Sequence, residues 1–448
     1  LAINSPLSSL VAVIGAGPAG LFAARRLAEH GVRVALFNRD IKAGGLAEYG
    51  IYPDKLKMKE GLRKQFNQIL ADPLIEYYGN VTICSCGAAT IFDLLAGGVQ
   101  AILVATGAQG TKWLGLPGEN LRGVYHAKDL VYHYNQLPPF STQTFHIGRR
   151  AALVGVGNVM MDMARWLIRE RKIDEVIAVA RRGPAEVKFS RDEMKFTARN
   201  LDLNALDAEF QRVEPLMRTL GQDAAAIRQT FVSVLPKALE AVSSTRFRFE
   251  FLASPVRILD DGSGGVAALE VEDTTLLAAG GDTKARGLGT FRRIEADTVI
   301  FCIGDCVDKD FCLPVRNNEF VKVPNPRFPI NGQSYEAFDP ENDRPLENIF
   351  LAGWARQASY GLVGMARKDG ESGAEALLQY LHTLPPLPDP AQTLAEFRAE
   401  FRRSHPQIVT KEHLALLEAA EQAEMQRRGL PAFKFDTNEA MLTVMGLA

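Results

Sequence analysis

Short apolar runs rich in β-branched residues recur along the chain. Each is followed by glycine and then by apolar positions at helical spacing. Residues 11–14 predict a strand, 21–29 an alanine-rich helix ended by Gly31, and 32–37 a second strand. The order returns with a strand at 151–154, a helix at 161–171 and a strand at 176–180. Two such β-α-β units, about 140 residues apart, predict two nucleotide sites in one chain. Between them, 101–105 predicts a strand running into Thr106-Gly107, and the Gly- and Pro-bearing stretch 110–118 a crossing between domains. Residues 192–241 are mostly helical in pattern. Strands are expected at 247–252, 256–259, 266–271, 297–303 and 348–352, with turn signals at 260–265 and a Pro- and Asn-rich loop over 313–345. A helix is expected at 362–381, then a Pro-rich linker at 384–390, then charged helix over 391–428.

Composition narrows the class. The 448 residues suggest two or three domains, and 47% hydrophobic with 23% charged residues is ordinary globular usage. Lys and Arg number 51 against 53 Asp and Glu, so a surface built throughout for nucleic acid is excluded. No apolar run approaches the ~18 residues of a membrane span, and residues 1–10 lack the basic and apolar regions of a signal peptide. With five cysteines, an odd number, a reducing, cytoplasmic setting is expected.

The 38 glycines matter by position rather than by number. Gly15-Ala16-Gly17-Pro18-Ala19-Gly20 follows the first strand and opens the first helix. A dinucleotide pyrophosphate needs the free N–H groups of a helix N-terminus and a turn with no side chains in its way. Gly15 makes the tight turn, Gly17 admits the phosphates and Gly20 lets helix and strand pack closely. The acid expected at the end of the second strand is replaced by Asn38, which can hydrogen-bond ribose hydroxyls but carries no charge, so the residue type does not set the strength of adenosine binding. In the second loop, Gly155-Val156-Gly157-Asn158-Val159-Met160, the bulkier Met160 predicts looser helix packing. Its second strand ends in Arg181-Arg182-Gly183-Pro184, and arginines there pair with a 2′-phosphate, favouring NADP over NAD. The alternative is a solvated basic pair.

With both loops in hand, the chain resembles the adrenodoxin reductase-like ferredoxin–NADP reductases of the FAD-dependent pyridine nucleotide-disulfide oxidoreductase superfamily, and is similar to the FAD/NADPH part of the glutamate synthase small subunit. Matching residues include the first loop, Gly45-Leu46, Tyr49-Gly50-Ile51, Pro53-Asp54, 78–81, Ala105-Thr106-Gly107 and 116–118. They continue through Gly157-Asn158-Val159, Asp162, Ala164-Arg165, 181–184, Ile303-Gly304, Gly353-Trp354 and Gly361 with Gly364. The resemblance implies an α/β fold of two Rossmann-like domains. An NADPH domain (113–314) would be inserted into a discontinuous FAD domain (1–112 and 315–385), with a helical C-terminal extension over 386–448.

By the same resemblance FAD is held by Gly15, Gly17, Pro18, Ala19, Gly20, Asn38, Gly45, Leu46, Ala105, Thr106 and Gly107. Gly353, Trp354, Gly361, Leu362 and Val363 would lie at the isoalloxazine, where the helix after Gly361 steadies negative charge. Trp354 stands where many related flavoproteins carry Asp and this group carries Trp. NADPH is held by Gly157, Asn158, Val159, Arg181, Arg182 and Glu193; an exposed helix glutamate is the other reading of Glu193. Lys55 occupies the place of a His in the mitochondrial-type enzymes, and Asp162 matches a family Asp. Both are expected to support the redox site, with a surface ion pair as the alternative.

The implied activity is hydride transfer from NADPH to FAD and single-electron delivery to a ferredoxin-like iron–sulfur protein. Such partners are often acidic, and Arg191, Lys195 and Arg199, four residues apart, are candidates for one basic helix face. Two rivals stay open: an electron-delivery subunit of a larger complex, with the apolar face of Leu394, Phe397 and Phe401 docking on a partner or on its own core, and a flavin-binding sensor or scaffold without turnover. The absence of C-x-x-C after the first unit excludes a dithiol mechanism there. Cys84 with Cys86, and Cys302, Cys306 and Cys312, are expected to be packing residues, and no metal site is expected.

Overall fold

The structure is a computed structural model and describes residues 7–84, 89–280, 282–359 and 361–448. The chain divides into two compact units. One comprises Leu1–Thr111, Tyr132–Thr142 and Asp305–Ala448, and the other Lys112–Val131 and Gln143–Gly304.

The first unit is built on a six-stranded sheet in the order Glu336–Asp339, Arg344–Leu351, Ala101–Val104, Leu10–Ile14, Arg33–Phe37, Ile75–Tyr78. All neighbours are parallel except the first pair. The central strand Leu10–Ile14 is apolar throughout because both its faces are covered. Val11 and Val13 enter one core with the helices Pro18–Ala28 and Val363–Leu381. Leu10, Ala12 and Ile14 enter a second core on the opposite face. That second core contains Leu394, Phe397 and Phe401 of the helix Pro390–Ser404. The rings of Phe397 and Phe401 lie 6.0 and 5.6 Å from Phe37. Of the two roles expected for this apolar face, docking on a partner or on its own core, the second is the one found. Residues 132–142, assigned from sequence to the NADPH domain, cluster with this unit because Tyr132 and Leu137 pack on Tyr49.

The second unit holds a five-stranded parallel sheet, ordered Val124–His126, Thr298–Phe301, Arg150–Val154, Glu175–Val179, Arg246–Glu250. A three-stranded antiparallel sheet, Ala253–Asp260, Val266–Ala279 and Asp282–Glu295, adjoins it in the chain. The 14-residue strand Asp282–Glu295 has no counterpart in the sequence reading. It is an exposed edge rich in Gly and Arg, so the apolar alternation that marks a strand is missing.

Two further expectations change. Arg191, Lys195 and Arg199 do not share one helix: Arg191–Met194 ends before Lys195, and the Lys195 carbonyl accepts from Leu239 N–H at 2.9 Å instead of from the next turn. The stretch 313–345 is not all loop, since Val315–Arg316 pairs with Glu319–Phe320, and Glu336–Asp339 pairs with Arg344–Leu351. Among the described residues, no helix is long and apolar enough to cross a membrane.

Candidate dinucleotide sites

In the first unit the glycines of the loop divide into two kinds. Gly15 has φ +107°, and a β-carbon on it would lie 2.4 Å from the Ala105 carbonyl oxygen. A β-carbon on Gly20 would lie 1.8 Å from the Gly15 carbonyl oxygen. The fold itself demands both. Gly17 differs, with φ −77° and only the Gly45 Cα within reach of an added β-carbon, at 4.0 Å. Nothing in the protein requires glycine there, whereas close approach of a phosphate does. Pro18 opens the helix that follows, with Gly17 at its N-cap.

The other predicted residues gather on this loop. Gly45, at φ +50°, stands against the Gly17 backbone, and Gly44 N–H donates to the Ala16 carbonyl at 2.7 Å. Leu46 then begins the short helix Leu46–Tyr49. Ala105 N–H continues the strand to the Ile14 carbonyl at 2.8 Å, Thr106 Cα faces Gly15, and Gly107 turns at φ +73°. Gly353, at φ +66°, packs on Ala19, whose side chain would meet an added β-carbon at 2.6 Å.

The Asn38 carboxamide oxygen accepts from Ala16 N–H at 3.0 Å, and its nitrogen donates to the carbonyls of Asp40 at 2.8 Å and Lys42 at 3.0 Å. It is buried, and both its donors are committed to the protein. Its amide fixes the glycine loop, and its oxygen keeps a second lone pair as an acceptor.

Beside Gly353 lies a cavity of about 170 Å³ lined by Trp354, Tyr335, Arg356, Asp369 and Ser372, among others. Sequence reasoning missed Asp369. Its carboxylate accepts from Gly353 N–H at 2.6 Å and from Arg356 Nε at 3.0 Å, and Tyr335 OH reaches it at 3.3 Å. Trp354 is half-buried at the cavity wall. Gly361, at φ +72°, and Leu362, three-quarters exposed, precede the helix whose first residue is Val363.

Lys55 is half-buried at the N-cap of the helix Leu56–Leu70. One turn on, Lys59 is buried, and its ammonium donates to Asn135 Oδ1 at 2.6 Å. Burial, with the charge of Lys434 nearby, lowers Lys59 to about 7.

The second unit repeats the division of labour. A β-carbon on Gly155, at φ +117°, would lie 2.4 Å from the Cys302 carbonyl oxygen, whereas one on Gly157 would meet nothing within 4 Å. Met160 is fully buried in the unit. Asn158 Oδ1 accepts from Ser190 N–H at 2.8 Å, and Lys188 N–H donates to the Val156 carbonyl at 2.9 Å, so the segment after Arg181-Arg182 closes on the loop. Val159 is exposed on the opening turn of the helix. Arg181 is exposed and Arg182 half-buried, and Thr274 Oγ1 donates to the Arg181 carbonyl at 2.7 Å. Glu193 is half-buried in the short helix Arg191–Met194.

Asp162 lies in the same helix as Val159, and its charge adds to burial in raising the Cys302 thiol. Cys302 and Cys306 are buried free thiols, Cys312 is a half-buried one, Cys84 is buried, and Cys86 lies outside the described residues. Among the described residues, no group of three or more His, Cys, Asp or Glu gathers to hold a metal.

Two parallel-sheet units, each with a strand, a glycine loop and a helix N-terminus whose middle glycine is left open, define the two-dinucleotide flavoprotein architecture. Residues 9–200 match the family model for pyridine nucleotide-disulphide oxidoreductase. NADPH-ferredoxin reductase FprA of Mycobacterium leprae (strain TN) is 28% identical, with 97% of this chain and 98% of that protein covered. The mitochondrial NADPH:adrenodoxin oxidoreductase of Salvelinus fontinalis is 26% identical, with 85% of this chain and 79% of that protein covered. The solved structure of Mycobacterium tuberculosis FprA in complex with NADPH superposes with a TM-score of 0.80 at 25% identity, covering 98% of this chain and 100% of that one. The chain is thus similar, over most of its length, to NADPH-ferredoxin and NADPH:adrenodoxin reductases.

Proposed function

We propose that the protein is an FAD-dependent oxidoreductase that takes hydride from NADPH and passes single electrons to an iron–sulfur protein such as a ferredoxin. The observation that carries this is the pair Gly17 and Gly157, one in each unit, which no packing contact within the fold explains. FAD is assigned to the first unit, held by the loop 15–20, Gly45, Leu46, residues 105–107, Gly353, Trp354 and residues 361–363. NADPH is assigned to the second, held by Gly157, Asn158, Val159, Arg181, Arg182 and Glu193. The redox chemistry, two electrons in as hydride and one out at a time, belongs to FAD.

The chain's part is to bind, orient and shield. Helix N-termini at Pro18 and Asn158 offer N–H groups to phosphates. Asp369 fixes the Gly353 turn and with it Trp354. Hydride transfer needs alignment rather than a protein acid, so Lys55 and Asp162 are assigned to electrostatic support. The features that left a sensor reading open are absorbed by the fold: Met160 is buried, and Asn38 builds the loop. The larger-complex reading loses the apolar face that suggested it, because Phe397 and Phe401 are buried. A reducing, cytoplasmic setting is supported by the free thiols.

The test is anaerobic mixing of the yellow protein with NADPH and, separately, NADH. Flavin bleaching is expected with both and faster with NADPH, followed by ferredoxin-dependent reduction of a cytochrome. No bleaching with either nucleotide overturns the enzyme reading.

A further inference from the structure

The paired arginines sit under a hairpin whose second strand nothing in the sequence pattern marked. Strand Val266–Ala279 holds the Arg181 carbonyl through Thr274, and strand Asp282–Glu295 begins beside Arg182. There Arg182 Nη1 donates to Asp282 Oδ1 at 3.1 Å and to the Thr283 carbonyl at 3.4 Å. The hairpin is pinned in this place. Thr283 Oγ1 donates to Glu186 Oε1 at 3.1 Å, and Gln222 Nε2 donates to the same oxygen at 2.8 Å. Asp282 itself is anchored by Thr283 N–H at 2.8 Å, yet its side chain remains 70% exposed. The Thr283 N–H, with the charges of Arg182 and, more weakly, Lys188, holds the carboxyl below its usual range.

This is an anion position formed by the Arg182 guanidinium and a backbone N–H, and the protein's own carboxylate fills it. We propose that Asp282 is a built-in competitor for the 2′-phosphate of NADPH, so that the nucleotide binds Arg182 only by displacing it. The proposal rests on the assignment of Arg181 and Arg182 to the 2′-phosphate. It adds a specificity-determining residue about 100 positions further along the chain. Asp282 lowers affinity for the phosphorylated nucleotide and leaves affinity for its unphosphorylated counterpart alone. It also keeps Arg182 from taking other anions when NADPH is scarce.

The experiment uses the FAD-loaded protein and calorimetric binding of 2′,5′-ADP, with 5′-AMP as the ligand lacking the 2′-phosphate. Asp282→Asn keeps the side chain's size and removes its charge. Asp282 is largely exposed, so the expected tightening of 2′,5′-ADP is about threefold to fivefold. The NADPH KM should fall by the same factor, with 5′-AMP affinity, NADH kinetics and kcat unchanged. Arg182→Ala should weaken 2′,5′-ADP by about tenfold or more, and adding Asp282→Asn to it should recover nothing. If Arg182→Ala weakens 2′,5′-ADP but Asp282→Asn leaves it unchanged or weaker, the competitor role is overturned and the phosphate assignment stands. If Arg182→Ala leaves 2′,5′-ADP binding untouched, the phosphate assignment itself falls, and the competitor with it.

Discussion

The Lys434 ammonium lies 2.7 Å from the Glu48 carboxylate, so the C-terminal segment closes on the short helix that follows Gly45. Arg63 reaches the same carboxylate with two hydrogen bonds, at 2.7 and 2.6 Å. Burial alone would raise Glu48, but Lys42, Lys434 and Arg63 outweigh it and hold the group well below the usual carboxylate range. Removing Glu48 leaves buried cations without a counter-charge, which is the expensive way to break such a group. Glu48→Gln is expected to lower stability by about 3 kcal/mol in urea unfolding. Lys434→Met should cost less, because Arg63 still pairs with Glu48. Equal losses would show that the cluster is not organised around Glu48.

Lys59 makes stability depend on pH in a defined direction. Unfolded, its ammonium keeps the proton to about 10.5, whereas folded it does so only to about 7. Between these values the unfolded chain binds more protons, so stability rises with pH. Lys434, lowered to about 8 by burial against the pull of Glu48, acts in the same direction over the upper part of that window. Unfolding free energy measured from pH 7 to 9 should climb, with a slope of at most about 1.4 kcal/mol per pH unit for each group. Lys59→Met should flatten the climb. An unchanged slope in that variant would remove Lys59 as its source.

The two kinds of glycine should separate on substitution. Gly17→Ala and Gly157→Ala add a β-carbon that meets no neighbour closer than 4.0 Å, so each should melt within about 1 kcal/mol of the parent. Gly17→Ala should nonetheless lose FAD during gel filtration, while Gly157→Ala keeps FAD and raises the NADPH KM by about tenfold or more. Gly20→Ala drives a β-carbon into the Gly15 carbonyl and should fail at the level of folding. Retention of FAD by Gly17→Ala would undo the assignment of that loop.

The glycine loops were legible because local steric need is written in neighbouring residues: a strand, a turn, a helix. The strands 10–14 and 150–154 were legible for the same reason, as apolar runs covered on both faces. Asp369 was not, because its partner Gly353 lies 16 residues away and only the folded turn brings them together. Lys434 and Glu48 are 386 positions apart, and in the sequence each is one charge among many. The edge strand 282–295 was hidden because solvent on both sides of a β-ribbon imposes no apolar alternation. Asn38 was noticed at the right place, but its bonds to the glycine loop were not legible, since a residue type alone does not say which way its amide points.

That position yields a prediction with opposite outcomes under the two readings. If Asn38 is a weak substitute for an acid that binds ribose, Asn38→Asp should tighten FAD. In the structure the Asn38 amide nitrogen faces two carbonyls, of Asp40 and Lys42, and its oxygen faces Ala16 N–H. A carboxylate there keeps the bond to Ala16 but turns both donated bonds into oxygen facing oxygen in a buried site. Asn38→Asp should therefore destabilise the protein by about 3 kcal/mol and loosen FAD, because the strained loop carries Gly15 and Gly17 with it. Protonation would restore one donor, so the carboxyl is pushed up and the penalty should shrink as pH falls. Asn38→Ala, lacking the repulsion, should lose less and show no such pH dependence. Thermal melts of the two variants across pH, read beside FAD retention, decide between the readings; tighter FAD in Asn38→Asp would return the residue to the ribose.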